Sequence, residues 1–71
     1  MHGKHEAMKP FTDAVMQLTR EDGNPFFLIN RVRRAIRRSN RRELAHQFMR
    51  EAVADNFSRV LETCRRYVTI E

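Results

Sequence analysis

One cysteine, two glycines, two prolines and no tryptophan occur among the 71 residues, and each shortage closes a class of answer. A lone Cys64 can form neither an internal disulfide nor a Cys-x-x-Cys metal knuckle. Gly3 and Gly23 are too few for a phosphate-cradling loop or a Gly-x-Ser-x-Gly turn, and no His-Glu-x-x-His occurs. The longest run free of charged side chains, Gly23 to Asn30, falls far short of the ~20 apolar residues of a membrane-spanning helix. No apolar segment near Met1 reads as the core of a secretory signal, so the expected compartment is the cytoplasm. The length is about half that of a typical domain. A single small domain is therefore expected over residues 10–71, after a polar leader at 1–9 expected to be disordered. A chain this small rarely encloses a concave catalytic site, so no enzyme, cofactor or metal centre is expected.

The most informative absence is of acid between Arg31 and Arg42. Residues 1–30 carry Lys4, Lys9 and Arg20 against Glu6, Asp13, Glu21 and Asp22, a net of −1. Residues 43–71 carry Arg50, Arg59, Arg65 and Arg66 against Glu43, Glu51, Asp55, Glu62 and Glu71, again −1. Between them Arg31, Arg33, Arg34, Arg37, Arg38, Arg41 and Arg42 contribute +7 with nothing opposing. The formal charge of +5 thus describes a mildly acidic chain interrupted by one arginine-rich stretch. A localised excess points to a surface, whereas an even one would not.

Helical periodicity is clear in three places. Phe57, Val60, Leu61, Cys64, Tyr67 and Val68 fall within ~120° of one another at ~100° per residue, predicting a helix over 56–68 capped by Asp55 or Asn56. Thr63 belongs to its polar face, and Glu62 and Arg66 make an i,i+4 pair. Leu44, Ala45, Phe48, Met49, Ala52 and Val53 share one side of a helix over 41–54, with Asn40 and Glu43 in a capping arrangement. Asp22-Gly23-Asn24-Pro25 supplies a turn, a cap and a first-position proline for a helix over 25–38. That helix carries Phe26, Leu28, Ile29, Val32, Ala35 and Ile36 on its apolar face, while Phe27 projects toward the arginines. The link at Ser39 and Asn40 is so short that the helices it joins must be neighbours.

The ends are less plain. Phe11, Ala14, Val15 and Leu18 fit a helix, yet Ala14, Met16 and Leu18 alternate as a strand would. Tyr67 to Ile70 reads as a β-prone tail. The Glu21-Asp22-Gly23-Asn24 turn, the Phe26–Arg38 run, the Glu43–Ala54 helix, the Asp55-Asn56-Phe57 junction and the Tyr67–Glu71 tail together resemble a type of small uncharacterised protein from bacterial genomes and phages. That resemblance spans about residues 15–71 and implies strands near 14–20 and at the C-terminus, with an accessory role in mobile elements. It implies no activity and no catalytic residues. The chain departs from the pattern in carrying Pro25, and Ala-Asp-Asn where glycine is common before the last helix. The expected fold is α+β and predominantly helical: a three-helix core with a small two-stranded sheet from the N- and C-terminal segments. The alternative is an all-α domain with a fourth helix at 10–21.

Candidate chemistry narrows to one surface. Glu21 and Asp22 read as turn residues, His2 and His5 as leader residues with at most adventitious metal affinity, and His46 as a solvated histidine beside Arg42 and Arg50. Cys64 reads as a small buried hydrophobe, and Met16 and Met49 as core filler. Arg31, Arg34, Arg37, Arg38, Arg41 and Arg42 remain as an anion-binding ridge, with Arg33 alongside. Like charges at i,i+4 cost a few tenths of a kcal/mol per pair, which an external anion would offset. Guanidinium groups fit phosphate oxygens as a planar fork. Five such contacts to duplex DNA would give a salt slope near −4.5 at ~0.9 per phosphate. Cations near a helix C-terminus are also favoured by the helix dipole alone, which covers Arg37 and Arg38. The leading expectation is a non-enzymatic binding protein that pairs with itself or a protein partner, with Phe27 as the exposed anchor, since small domains often gain stability by pairing. Nucleic-acid binding through the arginine helix is the alternative.

Overall fold

The computed structural model describes residues 9–54 and 59–71. In chain order these form strand β1 (Val15–Met16), a 3-10 turn (Arg20–Gly23), helix α1 (Pro25–Arg37), a second 3-10 turn (Arg42–Leu44), helix α2 (Ala45–Ala54), helix α3 (Val60–Tyr67) and strand β2 (Thr69–Ile70). The fold is α+β and predominantly helical, and the four-helix alternative fails because residues 15–16 are strand. Residues 1–8 of the expected 1–9 leader, the Asp55 and Asn56 caps and Phe57 lie outside the described residues.

α1 begins as its sequence dictates. Pro25 occupies the first turn, and the Asn24 side chain accepts the Phe26 N–H at 2.9 Å. Leu28, Ile29, Val32 and Ile36 are buried along one side. Phe26, expected on that face, is 60% exposed. At ~100° per residue it lies roughly 100° from the centre of the buried arc, beyond what the neighbouring helices cover. The same geometry leaves Val53 half exposed at the end of α2.

α2 starts four residues later than expected, because Asn40 is not its cap. The Asn40 side chain accepts the Asp13 N–H and the Asp13 carboxylate accepts the Asn40 N–H, both at 3.1 Å. The residue thus ties the interhelix link to the N-terminal segment. Residues 42–44 wind as a 3-10 turn, with the Leu44 N–H bonded to Arg41 O at 3.0 Å, before α-helix takes over. In α3 the expected stripe holds, with Cys64, Tyr67 and Val68 fully buried. Thr63, assigned to the polar face, is also buried, since it stands one turn before Tyr67 (i, i+4) on the flank of the stripe. Arg66 does not pair with Glu62. Its guanidinium donates to Glu51 at 3.0 Å, joining α3 to α2.

The sheet closes the fold. β1 and β2 run parallel, pairing Val15 with Thr69 and Met16 with Ile70. Parallel strands require a long crossover, and here the whole helical core supplies it. Pairing extends past the strands: the Phe11 N–H donates to Arg66 O at 2.9 Å and the Thr12 N–H to Tyr67 O at 3.1 Å. The Thr12 hydroxyl also donates to Tyr67 O, at 2.6 Å. β1 stops after Met16, shorter than the expected 14–20, because Thr19 and Asp22 turn the chain: Asp22 Oδ2 accepts the Thr19 N–H at 2.8 Å. Tyr67 anchors the centre, meeting Phe11 and Phe48 edge-on at 5.1 and 5.3 Å, while its hydroxyl accepts from Gln47 at 2.9 Å. Burial raises the Tyr67 hydroxyl pKa, opposed in part by the Gln47 hydrogen bond.

Candidate functional site

The arginine stretch divides into structural and free members. Arg31 donates through Nη1 to Asp22, whose side chain is 2% exposed. The same carboxylate oxygen accepts the Thr19 backbone N–H and, at 3.3 Å, its hydroxyl. Arg31 therefore serves the turn before α1, and taking it for an open anion ligand overlooked that partner. Arg41 donates through Nε to Glu43 at 2.7 Å, on the surface. That hydrogen bond, with the backbone N–H of Glu43 adding to it, holds the Glu43 carboxyl below the usual range.

Arg34, Arg37, Arg38 and Arg42 are exposed and carry no ion pair among the described residues. Phe27, Arg31, Arg34 and Arg38 stand at i, i+4, i+7 and i+11 on α1, so one ridge runs from a half-exposed aromatic ring to two free guanidinium groups. Asp13 and Asp22 do not cover it. Asp22 is committed to Arg31, and Asp13 to Asn40.

Round the helix from that ridge lies a pocket of about 310 Å³, lined by Arg33, Arg37, Arg42, Glu43, Ala45, His46 and Met49. Arg33 and Arg37 come from the C-terminal half of α1 and are one turn apart. Arg42, His46 and Met49 follow at i, i+4 and i+7 on the 3-10 turn and α2. The reversal at Ser39 to Arg41 sets the two groups face to face. Ser39 fixes it, donating its hydroxyl to Ile36 O at 2.6 Å and accepting the Arg41 N–H at 3.1 Å. Arg33 Nε is buried and has no acceptor among the described residues. Sequence reading set Arg33 beside the site and His46 outside it. The available signal was the pair of i,i+4 couples, 33/37 and 42/46, flanking a very short link.

The remaining candidates are structural. Cys64 is fully buried, and its thiol pKa is pushed up to about 12 by burial, then by the negative charge of Asp22. A thiol held protonated in this way is a poor nucleophile. Met16 is buried, and Met49 is half-buried against the core and lines the pocket. Among the described residues no helix is long and apolar enough to cross a membrane. No three His, Cys, Asp or Glu side chains among them are grouped to hold a metal ion. Comparison with models of protein families, with curated proteins and with solved structures found no match to this chain.

Proposed function

We propose that this is a non-enzymatic module that binds the phosphate backbone of nucleic acid through Arg34, Arg37, Arg38 and Arg42. The observation that carries the reading is the exposure of these four guanidinium groups with no acidic partner among the described residues. Helix-dipole stabilisation accounts for Arg34, Arg37 and Arg38, which stand in the last turn and at the C-cap of α1, but not for Arg42 outside it. Removing Arg31 and Arg41 from the expected set lowers the number of phosphate contacts, so the salt slope on duplex DNA becomes about −3.6 at ~0.9 per phosphate. Fluorescence anisotropy with random duplex and single-stranded oligonucleotides at two salt concentrations tests this. No binding at low salt, or unchanged affinity after reversing charge at Arg34 and Arg38, would sink it. An accessory role in a mobile element, as the resemblance implies, fits such a module.

A second reading is supported by Phe27, which is 52% exposed at the end of the ridge. In it the chain pairs with a second copy or another protein around that ring. Sedimentation then shows a concentration-dependent dimer that Phe27→Ala weakens, and a monomer at every concentration removes self-pairing.

A further inference from the structure

The pocket between α1 and α2 differs from the ridge in shape and in chemistry. The ridge is convex and presents separate cations, which suits a row of phosphodiesters. The pocket is an open hollow that gathers Arg33, Arg37, Arg42 and His46 around one volume of about 310 Å³. Ala45 and Met49 supply the apolar part of its wall.

The donor set selects among anions. Three guanidinium cations line the pocket, and the one carboxylate beside them, Glu43, is already paired with Arg41. A phosphomonoester carries about −1.5 to −2 near neutral pH and three acceptor oxygens, which gives each arginine an oxygen and answers more of their charge than a diester does. An internal phosphodiester has a single charge and two free oxygens, so it leaves one arginine without an oxygen. Arg33 Nε adds an independent reason. With Nε shut off from solvent, the Arg33 charge is poorly hydrated, and an anion held by its outer nitrogens would offset that cost without satisfying Nε itself.

We propose that this pocket is a phosphomonoester seat, formed by Arg33, Arg37 and Arg42 with His46 as a fourth donor. Building on the nucleic-acid reading, its ligand is the phosphorylated end of a strand whose following phosphates run along the Arg34 and Arg38 ridge. Arg37 and Arg42 are shared, since both are exposed and both line the pocket.

Two otherwise identical single-stranded oligonucleotides, one with a 5′-phosphate and one with a 5′-hydroxyl, test the seat by anisotropy at matched ionic strength. The phosphorylated strand is expected to bind about tenfold tighter, the scale of one charge-assisted hydrogen bond. Arg42→Gln and, separately, His46→Gln should shrink that ratio toward one. Arg34→Gln with Arg38→Gln should weaken both strands alike and preserve the ratio. Titration with inorganic phosphate, followed by NMR, should shift the Arg33, Arg37 and Arg42 side-chain signals and the His46 ring. Equal affinity for the two strands, or a ratio that survives both Arg42→Gln and His46→Gln, overturns the strand-end assignment while leaving the ridge in place. If neither strand binds but inorganic phosphate shifts these four residues, the seat stands for a small phosphorylated molecule and the nucleic-acid reading falls. Phosphate shifts confined to other residues overturn the seat itself.

Discussion

Arg31 and Arg34 stand one turn apart on the same ridge of α1, yet they belong to different electrostatic worlds. Arg31 reaches back to Asp22, a carboxylate with a side chain 2% exposed, and closes the turn that starts the helix. Arg34 is exposed and meets no acid among the described residues. One part of the arginine stretch therefore belongs to the fold and another is left over from it. A charge run is a count until its members have been paired off, and only the remainder is available to a ligand.

The largest effect expected from breaking this contrast is at Asp22. Asp22→Ala leaves Arg31 and the Thr19 N–H without their acceptor and should lower unfolding free energy by about 3 kcal/mol in chemical denaturation. Arg34→Gln, one turn along, should change it by no more than about 0.5 kcal/mol, as for most surface substitutions. Binding should show the reverse. Neutralising Arg34 and Arg38 together should flatten the salt slope by about 1.8, at ~0.9 per lost phosphate contact, whereas Arg31→Gln should alter stability more than slope.

Cys64 provides a pH-dependent test of the Asp22 region. Burial pushes its thiol up to about 12 in the folded chain from an ordinary value of 9.0, so the folded state holds its proton where the unfolded state has released it. The stability contributed is complete below pH 9 and is lost as pH rises toward 12, by at most about 1.4 kcal/mol per pH unit. Tyr67, whose pKa burial also raises, adds to the loss at the upper end. Cys64→Val should remove the earlier part of the decline in denaturation curves recorded across this range. A smaller effect is expected at the link: Asn40→Ala removes the side-chain acceptor of the Asp13 N–H, leaves the backbone N–H of residue 40 bonded to the Asp13 carboxylate, and should cost about 1 kcal/mol. Smallest is Glu43→Gln, which frees Arg41 and should steepen the duplex salt slope from about −3.6 toward about −4.5.

What was legible in the sequence was whatever depends on near neighbours. Asn24 and Pro25 start α1 as read, and the stripe through Cys64, Tyr67 and Val68 is the buried side of α3. What escaped depends on partners distant in the chain. Asn40 looked like a cap because Glu43 stands three residues on, but its partner is Asp13, 27 residues away. Arg66 had a suitable acid in Glu62 and took Glu51 instead. Phe26 and Val53 were assigned to apolar faces drawn wider than the arc their neighbours cover. The ridge could be read because it lies on one helix. The pocket could not, because Arg33 and Arg37 meet Arg42 and His46 only after the chain reverses between α1 and α2.

The parallel pairing of β1 with β2 sets the order in which the molecule can be completed. Thr12 bonds Tyr67 across 55 residues, and Met16 O accepts the Glu71 N–H at 2.9 Å. The helices can pack through contacts nearer in sequence, but the segment around Met16 has no ladder partner until Thr69 and Ile70 arrive. Such pairing must overcome its loop-closure entropy before any contact rewards it, so it should form late. During synthesis β1 would wait for β2 until the helices between them had been made, with the apolar side chain of Met16 short of its final cover until then.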